Sequence, residues 1–158
     1  MSFHESWIKS LEKTNADLNA QGVQVQLPPA SMLELQIEYL EATPGKNIKG
    51  KVPFQKRFTN PIRTFQGGIL SAVLDDHFGP LSYITAERPC TTLSLNTTFL
   101  KPFTEKMGFC LIEAEVLQKT KSFIFMRATV HSPDGVLLAH AESHVAVLSD
   151  EHLQKVKA

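Results

Sequence analysis

The segment from Asn60 to Arg88 constrains the chain more than any other, because it holds the longest helical pattern with a glycine pair at its head. Leu70, Val73, Leu74, His77, Phe78, Leu81 and Ile84 recur at three- and four-residue steps, the spacing of a helix with one broad buried stripe. Gly67-Gly68 opens that helix, where the absence of side chains lets a ligand approach the backbone and the first-turn N–H groups are free to meet it. Asp75 follows about two turns later, so a carboxylate and a polarising helix end are expected to share one site. Asp76 and His77 are read as outward, structural residues. Gly79-Pro80 falls inside the run and predicts a bend, since proline has no N–H to donate and crowds the preceding turn.

Before this segment, Ser2 and Glu5 make a capping-box pattern ahead of Phe3, Trp7, Ile8, Leu11 and Leu18, which predicts an amphipathic N-terminal helix packed on the body. Its polar side mixes both charges, unlike a membrane-surface helix. Gly22 and Pro28-Pro29 mark a linker, so residues 1–30 are read as helix and linker, 31–149 as the main domain and 150–158 as a polar tail. Alternation at Leu33, Leu35, Ile37 and Tyr39 predicts a strand that turns at Pro44-Gly45-Lys46-Asn47 into a second strand at Ile48 to Pro53. After the helix, Leu93, Leu95, Thr97 and Phe99 are expected to face it, with Thr92, Ser94, Asn96 and Thr98 on the other side. Further strands are expected at Gly108 to Gln118, Ser122 to His131 and Val136 to Leu148, the last two joined by a Pro133-Asp134-Gly135 turn. Their inner face is Ile124, Met126, Ala128 and Val130 against Leu137, Ala139, Ala141, Val145 and Val147. Phe123 and Phe125 fall on the other face, where another subunit is expected to cover them.

Sixteen basic residues balance sixteen acidic ones, which argues against nucleic acid as a principal partner. No apolar run reaches the ~18 residues of a membrane span, and the charged N-terminus does not read as a signal peptide; the expected location is the cytoplasm. Cys90 and Cys110 lack metal-ligand spacing and read as reduced thiols.

The order Asn60, Gly67-Gly68, Asp75, Thr92 and a strand ending Asn96-Thr-Thr-Phe-Leu-Lys-Pro102 resembles the hotdog-fold acyl-CoA thioesterases of the PaaI-like branch of the 4-hydroxybenzoyl-CoA thioesterase superfamily. The resemblance covers roughly Ser31 to Leu148. It implies an α+β hotdog fold, an antiparallel sheet wrapped around the long central helix, here with an extra N-terminal helix. It also implies a homodimer or dimer of dimers with sites at the subunit boundary. Asp75 falls at the family's catalytic carboxylate, as nucleophile or general base, and the amides of Gly67 and Gly68 would polarise the thioester carbonyl. Asn60 matches the residue that positions the attacking water, and Thr92 a Ser/Thr that assists hydrolysis. The family usually has His-Gly-Gly where this chain has Gln66-Gly67-Gly68; Gln66 is expected to orient substrate or to cap the helix.

Phe54, Phe58, Phe65, Phe78 and Phe103 are candidates for an acyl pocket. Lys101, Arg88 and Lys119 are candidates for the coenzyme A phosphates. Neither G-x-S-x-G nor a phosphate-binding loop is present, and His140, Glu142 and His144 read as an outer polar face rather than a metal site. The leading expectation is a metal-independent acyl-CoA thioesterase with no cofactor. A non-catalytic acyl-CoA-binding or sensing module is the alternative. An enoyl-CoA hydratase or dehydratase ranks below both, with only His77 in this segment to serve it.

Overall fold

The structure, a computed structural model, describes residues 1–20, 22, 25–149 and 151; the polar tail otherwise lies outside them. Six strands form one antiparallel sheet in the order β1-β2-β4-β5-β6-β3. They are β1 (Glu38–Thr43), β2 (Asn47–Pro53), β3 (Cys90–Phe99), β4 (Phe109–Lys119), β5 (Phe123–His131) and β6 (Leu137–Val147). The β1-β2 hairpin turns at Gly45, whose φ of 71° favours glycine. Alternation decides which face is dry: Ile48 and Val52, Cys110, Ile112 and Ala114, then Ile124, Met126, Ala128 and Val130 are all buried. Against them lies helix α3 (Gly67–Ala86), whose Leu70, Val73, Leu74, His77, Phe78 and Leu81 are buried.

Helix α3 is continuous through Pro80. Pro80 cannot donate to the Asp76 carbonyl, but the Tyr39 hydroxyl donates to that oxygen instead. The helix ends where Glu87 adopts a left-handed φ of 56° and donates its N–H to the Tyr83 carbonyl at 2.7 Å. Lys119 Nζ reaches the Thr85 carbonyl at 2.8 Å, placing a cation at the negative end of the dipole.

The expected strand from Leu33 is a helix instead: α2 spans Ala30–Glu34, and β1 begins only at Glu38. Met32 and Leu35, three residues apart, are the buried pair, while Leu33 is 55% exposed. Gln36, at a left-handed φ of 55°, turns the chain out of the helix and into the strand.

The N-terminal helix α1 (Phe3–Ala20) is closed by a reciprocal capping box, Ser2 N–H to Glu5 Oε2 at 2.7 Å and Glu5 N–H to Ser2 Oγ at 3.2 Å. Trp7, Ile8 and Leu11 pack against the core, and Asn15 Oδ1 accepts the Leu27 N–H at 2.9 Å. Among the described residues no helix is long and apolar enough to cross a membrane.

Candidate active site

The head of α3 is held in place by the loop before it. Gln66 donates its N–H to the Phe58 carbonyl at 2.8 Å, and Phe65 donates to Phe103 at 2.9 Å. Rings of Phe54, Phe58, Phe65 and Phe103 pack on one another with centroids 5.1 to 6.2 Å apart. Phe65 and Phe103 are buried in that cluster, which braces the helix start, and Phe78 is buried farther along the helix; Phe54 and Phe58 are half-buried. Asn60 is also engaged locally. Its Oδ1 accepts the N–H groups of Ile62 and Thr64, each at 3.1 Å, and its Nδ2 donates to Thr64 Oγ1 at 2.8 Å.

Four amides begin the helix without intrahelical partners. Of these, the Gln66 N–H goes to the Phe58 carbonyl and the Ile69 N–H to Gln66 Oε1 at 3.0 Å, while the Gln66 carbonyl accepts the first intrahelical bond, from Leu70 N–H at 3.0 Å. Among the described residues the N–H groups of Gly67 and Gly68 have no acceptor. A side chain at either glycine would be in tight quarters, and its neighbour would have to give by a few tenths of an ångström. A Cβ on Gly67 would lie 3.1 Å from Cζ of Phe99, and one on Gly68 would lie 3.0 Å from the capping Oε1 of Gln66.

Helix α3 and strand β3 run in opposite directions and meet at successive rungs. Phe99 covers Gly67, Ser71 Oγ donates to Thr97 Oγ1 at 3.2 Å, and Thr92 Oγ1 donates to Asp75 Oδ1 at 3.0 Å. The last rung corrects the expected alternation, for Thr92 points at the helix and not away from it. A bulge is responsible: Thr92 pairs with Val145 and Ser94 with His144, leaving Leu93 unpaired and 58% exposed. The extra residue turns Thr92 inward while Leu95, Thr97 and Phe99 keep the expected side.

Asp75 itself is exposed, off the buried stripe, and its Oδ2 has no partner among the described residues. Its neighbours correct the expectation in the other direction. Asp76 is half-buried, with Oδ1 accepting from Ser31 Oγ at 3.0 Å and Oδ2 buried without a partner. Burial pushes its carboxyl above the usual range, the Asp75 charge adds to that, and the Ser31 hydrogen bond opposes it. His77 is fully buried rather than outward. Its Nδ1 donates to the Val73 carbonyl at 2.7 Å, and burial lowers its pKa to about 4 against the effect of that bond, so the ring is neutral. Its unpartnered Nε2 abuts Gly50, where a Cβ would sit 2.2 Å away.

Lys101 lies just past Phe99, at the glycine end of the groove, whereas Arg88 lies at the far end of β3 beside the helix C-terminus, so one chain does not bring the two together. Lys119 is at that far end too, on the Thr85 carbonyl. His140, Glu142 and His144 are exposed on the outer sheet face, and among the described residues no three His, Cys, Asp or Glu side chains converge to hold a metal ion. Ser71 and Phe99 were missed by sequence reasoning. Their signal was the matching of helix positions 67, 71 and 75 to one face of the strand that follows.

Neither a protein-family profile nor a curated protein matches the sequence. Solved structures do match its shape. The PaaI protein of the phenylacetic acid degradation operon of E. coli superimposes with a TM-score of 0.72 at 13% identity, over 90% of this chain and 96% of that one. A thioesterase from Haemophilus influenzae gives 0.70 at 16% identity, covering 88% and 90%. AziG from S. sahachiroi gives 0.73 at 15% identity, covering 78% and 98%. The chain has the hotdog fold. Within it, α3 is the central helix, β3 is an edge strand, and the polar rungs link the two.

Proposed function

We propose that this hotdog protein is an acyl-CoA thioesterase whose complete site forms between two copies of the chain. The observation that carries the reading is the Thr92 to Asp75 bond of 3.0 Å, in the same groove as the open amides of Gly67 and Gly68. Along one helix, Gly67 and Asp75 are about 12 Å apart at 1.5 Å per residue. A thioester carbonyl within hydrogen-bonding reach of the glycine amides is therefore beyond the carboxylate of the same chain. A two-fold partner whose α3 runs antiparallel alongside would bring the Asp75 of one copy to the glycines of the other, and do so twice. Strand β3 offers the edge for it, since it pairs only with β6 and presents Leu93, Phe99 and Leu100, each at least half exposed. Phe123, at 43% exposure, lies on the outer face that a dimer of dimers would cover.

In this arrangement the amides of Gly67 and Gly68 hydrogen-bond the thioester oxygen and favour the negative charge that develops there. Thr92 occupies Asp75 Oδ1, which leaves Oδ2 to take a proton from water as the water oxygen bonds to the carbonyl carbon; Oδ2 acting as nucleophile, through an anhydride that water then opens, gives the same products. The carbon–sulfur bond breaks, the thiolate takes up the proton, and a carboxylic acid and coenzyme A leave. Asn60 fixes the loop that presents Gly67, and its second Nδ2 hydrogen is available to the water. Gln66 and Phe65 hold the helix head, and Lys101 is placed for a phosphate at the groove mouth. The hydratase alternative needs an accessible histidine, and His77 is sealed against Gly50.

The test is thiol release across aliphatic, branched and aromatic acyl-CoA thioesters. Asp75→Asn should lower turnover by about 10² to 10⁴ with the fold retained. Full activity in that variant would refute the assignment, and coenzyme A thioester binding by calorimetry without thiol release would leave a binding module in its place.

A further inference from the structure

We infer that Tyr39 is a positioning residue for Asp75, acting through the Asp76 carbonyl that Pro80 leaves without its helical donor. The inference rests on the reading of Asp75 as the catalytic carboxylate. In an α-helix each carbonyl accepts from the N–H four residues on, so a proline at 80 strands the oxygen of residue 76. A stranded carbonyl within a helix usually coincides with a kink or an inserted water. Here the Tyr39 hydroxyl donates to that oxygen in place of the missing N–H, and the helix is continuous through Pro80.

Tyr39 is suited to that task because it is itself fixed. Only 1% of its surface is exposed. Its backbone N–H donates to His4 Nδ1 at 3.1 Å, its ring meets His77 edge-on at 5.3 Å, and Trp7 tilts against it at 5.5 Å. Burial first, and the Asp76 charge second, push the phenol well above its ordinary pKa, so the hydroxyl keeps its proton and remains a donor. The residue clamped in this way immediately follows Asp75. Its position fixes the rotation of the turn that aims the Asp75 carboxylate at Thr92 and, in the assembled site, at the substrate. The same contacts give α1 a purpose, because His4 and Trp7 are what it contributes to the brace.

Pro80 supplies a direct test, because replacing it restores the N–H that makes the tyrosine necessary. With the full-length chain and its best acyl-CoA thioester, Tyr39→Phe should lower kcat by about ten- to a hundredfold with KM within about twofold, as a small misplacement of a reacting group does. Adding Pro80→Ala to that variant should return most of the loss. A kcat for Tyr39→Phe equal to that of the unmodified chain, at a temperature where both are folded, overturns the inference, as does a double variant that stays as slow as the single one. Absence of thiol release by the unmodified chain would overturn the thioesterase reading and the catalytic role of Asp75 with it. The brace is then read separately by amide hydrogen exchange between Asp76 and Ile84. Exchange there should quicken in Tyr39→Phe and slow again in the double variant, and unchanged exchange in the single variant overturns the brace as well.

Discussion

The two halves of α3 treat their polar groups in opposite ways. From Gly67 to Asp75 the helix leaves groups open: the amides of the glycine pair have no acceptor, and Asp75 is exposed with one carboxylate oxygen unused. From Asp76 to Ala86 it is the backbone carbonyls that find extra partners: Tyr39 answers the Asp76 carbonyl, Ser82 Oγ the Gly79 carbonyl, Glu87 the Tyr83 carbonyl and Lys119 the Thr85 carbonyl. Gly45 N–H closes on Thr85 Oγ1 at 3.0 Å. One half is anchored by the elements around it, and the other leaves groups that the proposed function assigns to substrate. Substitutions in the open half should therefore move rate more than stability, and those in the closed half the reverse.

The largest break in that contrast should come at Gly67. A methyl group there would meet Phe99 Cζ at 3.1 Å, and pushing the helix turn aside would move the amide that is proposed to polarise the carbonyl. Gly67→Ala should slow thiol release by about 10² to 10³, the loss expected for an oxyanion donor, while the melting temperature changes little. Gly67→Ala combined with Phe99→Ala should recover part of the rate. Failure of the pair to recover would mean that the backbone conformation of Gly67, and not the ring above it, is what matters.

Why some of this was legible in the sequence and some was not follows from range. The stripe from Leu70 to Leu81 is local, set by the helix repeat, and its apolar residues are buried as expected. Leu33, Leu35, Ile37 and Tyr39 alternate like a strand by coincidence. Pro29 stands at the N-cap of the short helix that forms there instead, and Met32 and Leu35 are its buried residues at helical spacing. The bulge at Leu93 was not legible, because Thr92 and Ser94 are equally at home on either face and only pairing with β6 decides between them. Placing His77 outward failed for a similar reason. A histidine is neutral enough to bury, and the cavity that accepts it exists only because residue 50 on a distant strand is glycine. Pro80 did announce a stranded carbonyl, but not that Tyr39 would reach it.

His77 makes the closed half sensitive to acid. Its folded pKa of about 4 is below the ordinary 6.5, so the unfolded chain binds its proton first. Stability from this group is therefore complete above pH 6.5, falls as the pH drops from there toward 4, and amounts to about 3 kcal/mol over the window at 1.36 kcal/mol per unit. Asp76 has the opposite sign: its raised folded pKa means that its contribution is present in acid and lost as the pH rises through that value. Urea melts between pH 4 and 7 should show stability rising with pH, and His77→Gln should flatten the rise. A slope unchanged in that variant would place the acid sensitivity elsewhere.

A smaller effect should sharpen the role of Gln66, which sits in the open half but is engaged in capping. Gln66→Ala removes the oxygen that holds Ile69 N–H and should cost about 1 kcal/mol, as loss of an N-cap does. KM within about twofold of the original would keep Gln66 as a structural cap, whereas a rise of about tenfold, or 1.4 kcal/mol, would make it a substrate contact as well.

The smallest effect belongs to Lys119 at the opposite end. Its ammonium lies 2.8 Å from the Thr85 carbonyl, within the last turn, where the helix dipole is most negative. Lys119→Met keeps most of the aliphatic stem and removes the charge, so the expected loss is about 0.5 kcal/mol, within the range for a cation at a helix C-terminus. Salt screens such contacts, so the gap between the two proteins should narrow as ionic strength rises. Thiol release should not change, because the glycine amides of the same chain lie about 27 Å away along the helix at 1.5 Å per residue. A clear drop in rate at constant stability would place Lys119 near substrate in the assembled protein, which requires the far end of one chain's helix to lie close to its partner's groove. The variant therefore tests both the division of α3 into two halves and the proposed antiparallel pairing.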